Sequence, residues 1–189
     1  MKKIKAPFIG PDKIENTVNA LKNQYGILNN IPVDIEQFAA FELGIDIIPE
    51  PGIRQDCGCD AIITGDFNSI LVDAVYYEND SYINRFRFSI AHELGHKFLH
   101  EDFFKQLGID SNESWLDFMD SEICDKDYSM LEYHANLFAG MILMPKDQFL
   151  LDLQNKTTPQ KLSSKYGVSV DAIKKRSIFL LKNRSPYHA

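Results

Sequence analysis

Two histidines four residues apart, His92 and His96, with Glu93 directly after the first, are the residues of this chain best placed to do chemistry. On an α-helix, residues at that spacing stand one above the other, offset by about 40°. Both imidazoles can therefore meet one divalent ion. A glutamate beside them can take the proton of a water that attacks a polarised bond. Phe86, Ile90 and Leu94 recur at four-residue spacing about 200° around the same helix from the histidines. Such a helix buries its apolar stripe and turns the histidines towards a cleft.

Two histidines do not complete a catalytic metal site, so a third ligand is needed. One large class of zinc peptidases takes it ten residues after the first histidine, with a glycine three residues earlier. Here Asp102 and Leu99 occupy those positions, which excludes that class. His100 lies about 80° around the helix from His92, at the helix end rather than among the ligands. The segment Leu131–Gly140 has helical periodicity and places Glu132 and Asn136 on one face. Ala135, Ala139 and Gly140 are small enough to let it approach the first helix closely. Glu132 would give two histidines and one carboxylate with an open position, the pattern of catalytic sites. Asn136 could accept a hydrogen bond from a ligand histidine and so fix its tautomer. His134 is a rival third ligand, about 200° around the helix from Glu132.

At this point the chain resembles a known family. Arg85-x-Arg87-Phe88-x-x-Ala91-His92-Glu93-Leu94-Gly95-His96, then Glu132-x-x-Ala135-Asn136-x-Phe138-Ala139 and Leu143-Met144-Pro145, look like the ImmA/IrrE metallopeptidases. The resemblance runs over about residues 31 to 181. It implies an α+β fold: a mainly helical, zincin-like metallopeptidase with a small β-sheet and a C-terminal helix-turn-helix-like unit. It also implies one Zn²⁺ per chain on His92, His96 and Glu132, with Glu93 as catalytic base; Mn²⁺ or Fe²⁺ would also suit such a site. Members of the family are cytosolic bacterial proteins, often of mobile elements or stress-response loci. Several cleave a helix-turn-helix repressor, so the resemblance implies a DNA-binding repressor as protein substrate. This chain departs from the pattern at His134, where many members carry an acidic residue.

For peptide hydrolysis the oxyanion needs a donor besides the metal. Tyr128, Tyr133, His100 and His134 are the candidates. Arg85 and Arg87 match the family pattern and are expected to anchor the start of the helix. The rival reading is a non-catalytic metal-containing regulator that binds a repressor or toxin. Such a structural site usually closes its fourth position with a protein ligand, often Cys. Cys124 is the sole cysteine close in sequence to either ligand helix.

The elements that must position these residues are legible in order. Pro11-Asp12 opens a helix with Ile14, Val18, Leu21 and Tyr25 on one face, closed at Gly26. Asp34 caps a second helix ending at Leu43-Gly44. Ile45 to Ile48 reads as a strand, stopped by Pro49-Glu50-Pro51-Gly52. Ala61–Thr64 and Ser69–Val72 flank Gly65-Asp66-Phe67-Asn68 as a hairpin. Ser69–Val72 is the expected free edge, to which an extended peptide could add as another strand. Pro145 fits the first turn of a further helix. From Thr157 to Leu181 the pattern reads helix, turn, helix: Thr158 and Ser169 cap, Pro159 starts and Gly167 ends the first helix. The expected division is residues 1–156 as the peptidase domain and 157–189 as a small helical appendage packed on it.

Length and composition suit one soluble globular domain. No apolar run approaches a membrane span, and the Lys-rich start lacks an apolar stretch after it. Three cysteines (Cys57, Cys59, Cys124) are an odd, sparse set that suits a reducing compartment, so a cytoplasmic location without membrane contact is expected. Cys57-Gly58-Cys59 lacks the second Cys/His pair that a zinc site requires. Residues 101–127 carry nine acids against two lysines, equal to the whole net charge of −7. That insert reads as a solvated loop, or as an attractor for a basic partner. Residues 157–189 are basic, but Val170, Asp171, Ala172 and Ile173 at the start of the second helix cannot read bases. Direct nucleic-acid binding is therefore not expected.

Overall fold

The computed structural model describes residues 5–108 and 125–182. The expected acidic insert lies largely outside these residues, as does Cys124. The fold is α+β and zincin-like, mainly helical with one small sheet.

Its centre is a pair of closely packed helices, α5 (Ile83–Gln106) and α6 (Asp125–Leu143). In α5 the predicted stripe Phe86, Ile90 and Leu94 is buried, and Phe104 extends it. In α6, Leu131, Ala135, Phe138, Ala139 and Ile142 face the core. The two backbones approach closely because Gly95 has no side chain: a Cβ there would lie 2.9 Å from Ala135 Cα and 3.2 Å from Phe138 Cβ. Helix α1 (Pro11–Gln24) packs Ile14, Val18 and Leu21 inwards and lies against α6. Helix α2 begins at Ile35 with Asp34 as its cap (Gln37 N–H to Asp34 Oδ1, 3.1 Å) and widens into a π turn over Phe38–Glu42. Gly44, at φ +65°, ends it.

The sheet holds three strands in the order β1-β3-β2: β1 (Asp46–Glu50), β2 (Ala61–Ile63) and β3 (Ser69–Asp73). Between β1 and β2 lies the short helix α3 (Ile53–Cys57). The hairpin is present, with Ala61 opposite Val72 and Ile63 opposite Ile70 in antiparallel register. Two expectations need correction. Ser69–Val72 is not an edge: β3 is the central strand, paired in parallel with β1 on its other side. Nor does Pro49 stop β1, which runs on to Glu50; β1 is an edge strand, where a missing N–H is tolerated. The connection to α5 forms a short helix, α4 (Ala74–Glu78), capped by the Asp73 carboxylate.

Helix α7 (Lys146–Gln154) follows α6, then α8 (Pro159–Tyr166) and α9 (Val170–Lys182) form the expected helix-turn-helix. Gly167 takes φ +61°, and Ser169 Oγ accepts the N–H of Ala172 at 3.2 Å. Three polar ties fasten this unit. The Asp152 carboxylate accepts from Lys165 Nζ (2.7 Å) and Tyr166 OH (2.6 Å), and Arg176 Nε donates to Met144 O at 3.3 Å. The third is Arg87, whose Nε donates to Gly167 O at 3.1 Å while its Nη2 reaches Val33 O. Arg87 thus clamps α5 to two neighbours, and Arg85 pairs with Asp60. No described helix is long and apolar enough to cross a membrane.

Candidate metal centre

The helical spacing and the Gly95–Ala135 contact together bring α5 and α6 to one point. His92 Nε2 lies 3.2 Å from Glu132 Oε2, and His96 Nε2 lies 3.2 Å from Glu132 Oε1. The two Nε2 atoms are 3.1 Å apart. Among the described residues this is the one group of three or more such side chains that could hold a metal ion. The spacing fits one: ligands about 2.05 Å from a tetrahedral ion stand about 3.3 Å from each other. Two imidazole nitrogens and a carboxylate, all only partly accessible, are a donor set that suits a divalent cation.

The electrostatics are tightly coupled. Burial pushes the Glu132 carboxyl up, but hydrogen bonds and charges from His92 and His96 outweigh it and hold the group well below the usual carboxylate range. Burial pulls His92 down, yet Glu132, Glu93 and Asn136 together raise it. Asn136 donates from Nδ2 to Glu132 O at 2.8 Å, which leaves its Oδ1 as the acceptor beside His92. Glu93 is buried, and burial raises its carboxyl pKa against the opposing charges of His92 and His96. Its Oε2 accepts the main-chain N–H of Ile63 at 2.9 Å.

That last contact defines how the sheet meets the site. Thr64 N–H and Asp60 O bond to β3, so by antiparallel alternation Ala61 and Ile63 turn their polar groups away from it. The outer edge of β2 therefore faces Glu93. Sequence pattern could not show this, because alternation does not tell which strand is central.

The four oxyanion candidates divide into two pairs. Tyr128 and Tyr133 are 41% and 46% exposed and line a cavity of about 560 Å³ with Glu132 and Asn136. Burial of its hydroxyl, then the charge of Glu132, push the Tyr128 phenol up to about 12, so it remains a donor. His100 and His134 are fully buried behind His96 and do not line this cavity. Burial, then the charges of His96 and His134, depress the His100 imidazole to about 2. The cavity continues past Phe88, Leu137 and Met144 to Phe179 of α9. Cys57 is exposed and Cys59 half-buried; neither joins the metal-ligating group.

A family model, Peptidase_M78 (IrrE N-terminal-like domain), matches residues 74–177, more than half of the chain. No curated protein matches. Among solved structures, a Mycobacterium tuberculosis transcriptional regulator is similar in fold, with a TM-score of 0.58 at 14% identity. The match covers 95% of this chain and 49% of that one, so this chain spans about half its length.

Proposed function

This chain belongs to the IrrE N-terminal-like peptidase family, and from that premise we propose that it is a zinc-dependent endopeptidase acting on a protein, with a helix-turn-helix repressor as substrate. One observation carries the reading: two imidazoles and a carboxylate converge at 3.1–3.2 Å beside a buried glutamate. His92, His96 and Glu132 would hold the ion, and when bound it would polarise the scissile carbonyl and the attacking water.

The rest falls to the protein's own groups. Glu93 takes the proton from the water through Oε1, since Oε2 is held by Ile63, and later delivers a proton to the leaving amine. Ala61 N–H, Ala61 C=O and Ile63 C=O receive an extended segment of substrate as a fourth strand along β2. Tyr128 donates to the developing oxyanion. The cavity along α6 and α9, walled by Phe88, Leu137, Met144 and Phe179, receives an apolar substrate side chain next to the cleaved bond. In this reading residues 157–189 are an appendage to the peptidase domain 1–156, and α9 supplies one wall of the cleft.

The test is incubation of the zinc-loaded protein, and of Glu93→Gln, with a repressor encoded beside its gene. Cleavage by the first and not the second supports the reading. Tight binding without cleavage by either would favour the non-catalytic regulator.

A further inference from the structure

Behind His96 runs a line of imidazoles that peptide hydrolysis does not use. His96 Nδ1 lies 3.1 Å from His100 Nδ1, and His100 Nε2 lies 3.4 Å from His134 Nδ1. His134 Nε2 accepts the main-chain N–H of Ile9 at 3.2 Å. His100 and His134 are fully buried, with the rings of Phe104 and Phe8 against them.

Each of these contacts takes one proton, and a neutral imidazole has one to give. A single fixed donor therefore sets all the others, and the Ile9 N–H is that donor. His134 Nε2 must be bare, so its proton sits on Nδ1 and points at His100 Nε2. His100 then carries its proton on Nδ1, pointing at His96 Nδ1. The His96 proton is left on Nε2, beside Glu132 Oε1 at 3.2 Å. In this order every donor meets an acceptor.

A cation at His96 Nε2 needs that nitrogen bare. The His96 Nε2 proton would leave to solvent, and those of His100 and His134 would each cross to the next ring towards His96. His134 would take a proton from solvent at Nε2, so that the order reverses along the line. His100 donates from Nε2, and His134 accepts at Nδ1 and carries its own proton on Nε2. There it meets the Ile9 N–H, donor against donor, and the contact cannot persist.

We propose that His100 and His134 are positioning residues which set cation binding at His96 against docking of the N-terminal segment at Ile9. The inference rests on His92, His96 and Glu132 being a metal site. Two variants isolate it. Ile9→Pro removes the N–H, and His134→Glu supplies an acceptor for both Ile9 N–H and His100 Nε2–H, so neither opposes the reversed order.

The experiment measures zinc affinity by chelator competition in the parent and both variants, and hydrogen exchange of the Ile9 amide with and without zinc. We expect zinc to bind about tenfold tighter in each variant, the size of effect that partners of metal ligands produce. In the parent, the Ile9 amide should exchange at least about tenfold faster once zinc is bound. Affinities within twofold in both variants, or an Ile9 amide equally protected with zinc, would overturn the coupling and leave the metal site standing. A parent that binds no zinc would overturn both. Should His134→Glu fail to fold, Ile9→Pro and the exchange measurement still decide.

Discussion

The main-chain N–H of Ile63 donates to Glu93 Oε2 at 2.9 Å, so the edge of the sheet and the histidine-bearing helix are joined at the acid itself. The bond fixes one carboxylate oxygen, and in the proposed mechanism the other takes the proton of the water. In the proposed binding mode, a peptide added to the edge of β2 would pass Glu93.

Glu93→Gln keeps a side-chain oxygen for Ile63 and loses the proposed base. Zinc affinity should change by less than a few-fold, while peptide hydrolysis should fall at least about a hundredfold. Chelator competition and a cleavage assay on the same preparation check both. Retained cleavage would remove Glu93 from this role.

Tyr128→Phe removes the proposed oxyanion donor and, with it, the hydrogen bond of the phenol to Glu132. The cleavage rate at saturating zinc and substrate should fall about a hundredfold, with KM nearly unchanged and zinc affinity lowered by less than the rate. Tyr133→Phe, on the same cavity wall, should be close to the parent. The reverse ranking would transfer the role to Tyr133.

Gly95→Ala tests the close approach of the two helices. The added methyl would stand 2.9 Å from Ala135 Cα, so the backbones must separate. Urea unfolding should show a loss of about 1–3 kcal/mol. Because Glu132 rides on the displaced helix, zinc affinity should fall as well. A Gly95→Ala variant that is as stable as the parent and binds zinc as tightly would contradict the packing.

Asp152 predicts a pH dependence. Burial acts to raise its carboxyl, but hydrogen bonds from Lys165 and Tyr166 outweigh it and hold the folded-state value below the ordinary 3.8. The stabilisation is thus fully present above that value and is lost as pH falls through the folded-state value. Asp152→Asn should cost about 1–3 kcal/mol at pH 7 and less at pH 3, below the ordinary carboxyl value. An equal difference at both pH values in urea melts would contradict it.

Much of this was legible in the sequence because helical spacing is local. The buried stripe Phe86-Ile90-Leu94, the face shared by Glu132 and Asn136, and the caps Asp34, Thr158 and Ser169 all follow from neighbours within a few residues. Strand order does not. Ser69–Val72 looks the same by alternation whether central or at an edge, and only its parallel pairing with β1 decides it. Gly95 could have been suspected as the counterpart of Ala135. His100 stands four residues after His96, the same spacing that singled out His96 itself, so its place behind that ring was available from pattern. The contact of Ile9 with His134, 125 positions apart, was not.

The central claim is that His92, His96 and Glu132 hold one catalytic zinc, and metal stoichiometry tests it most directly. Zinc content and affinity should be measured on the purified chain beside His92→Ala and Glu132→Ala. One equivalent is expected in the parent, and in both variants either its loss or an affinity lower by at least about a hundredfold. A parent without zinc after reconstitution, or a Glu132→Ala protein with unchanged stoichiometry and affinity, would contradict it.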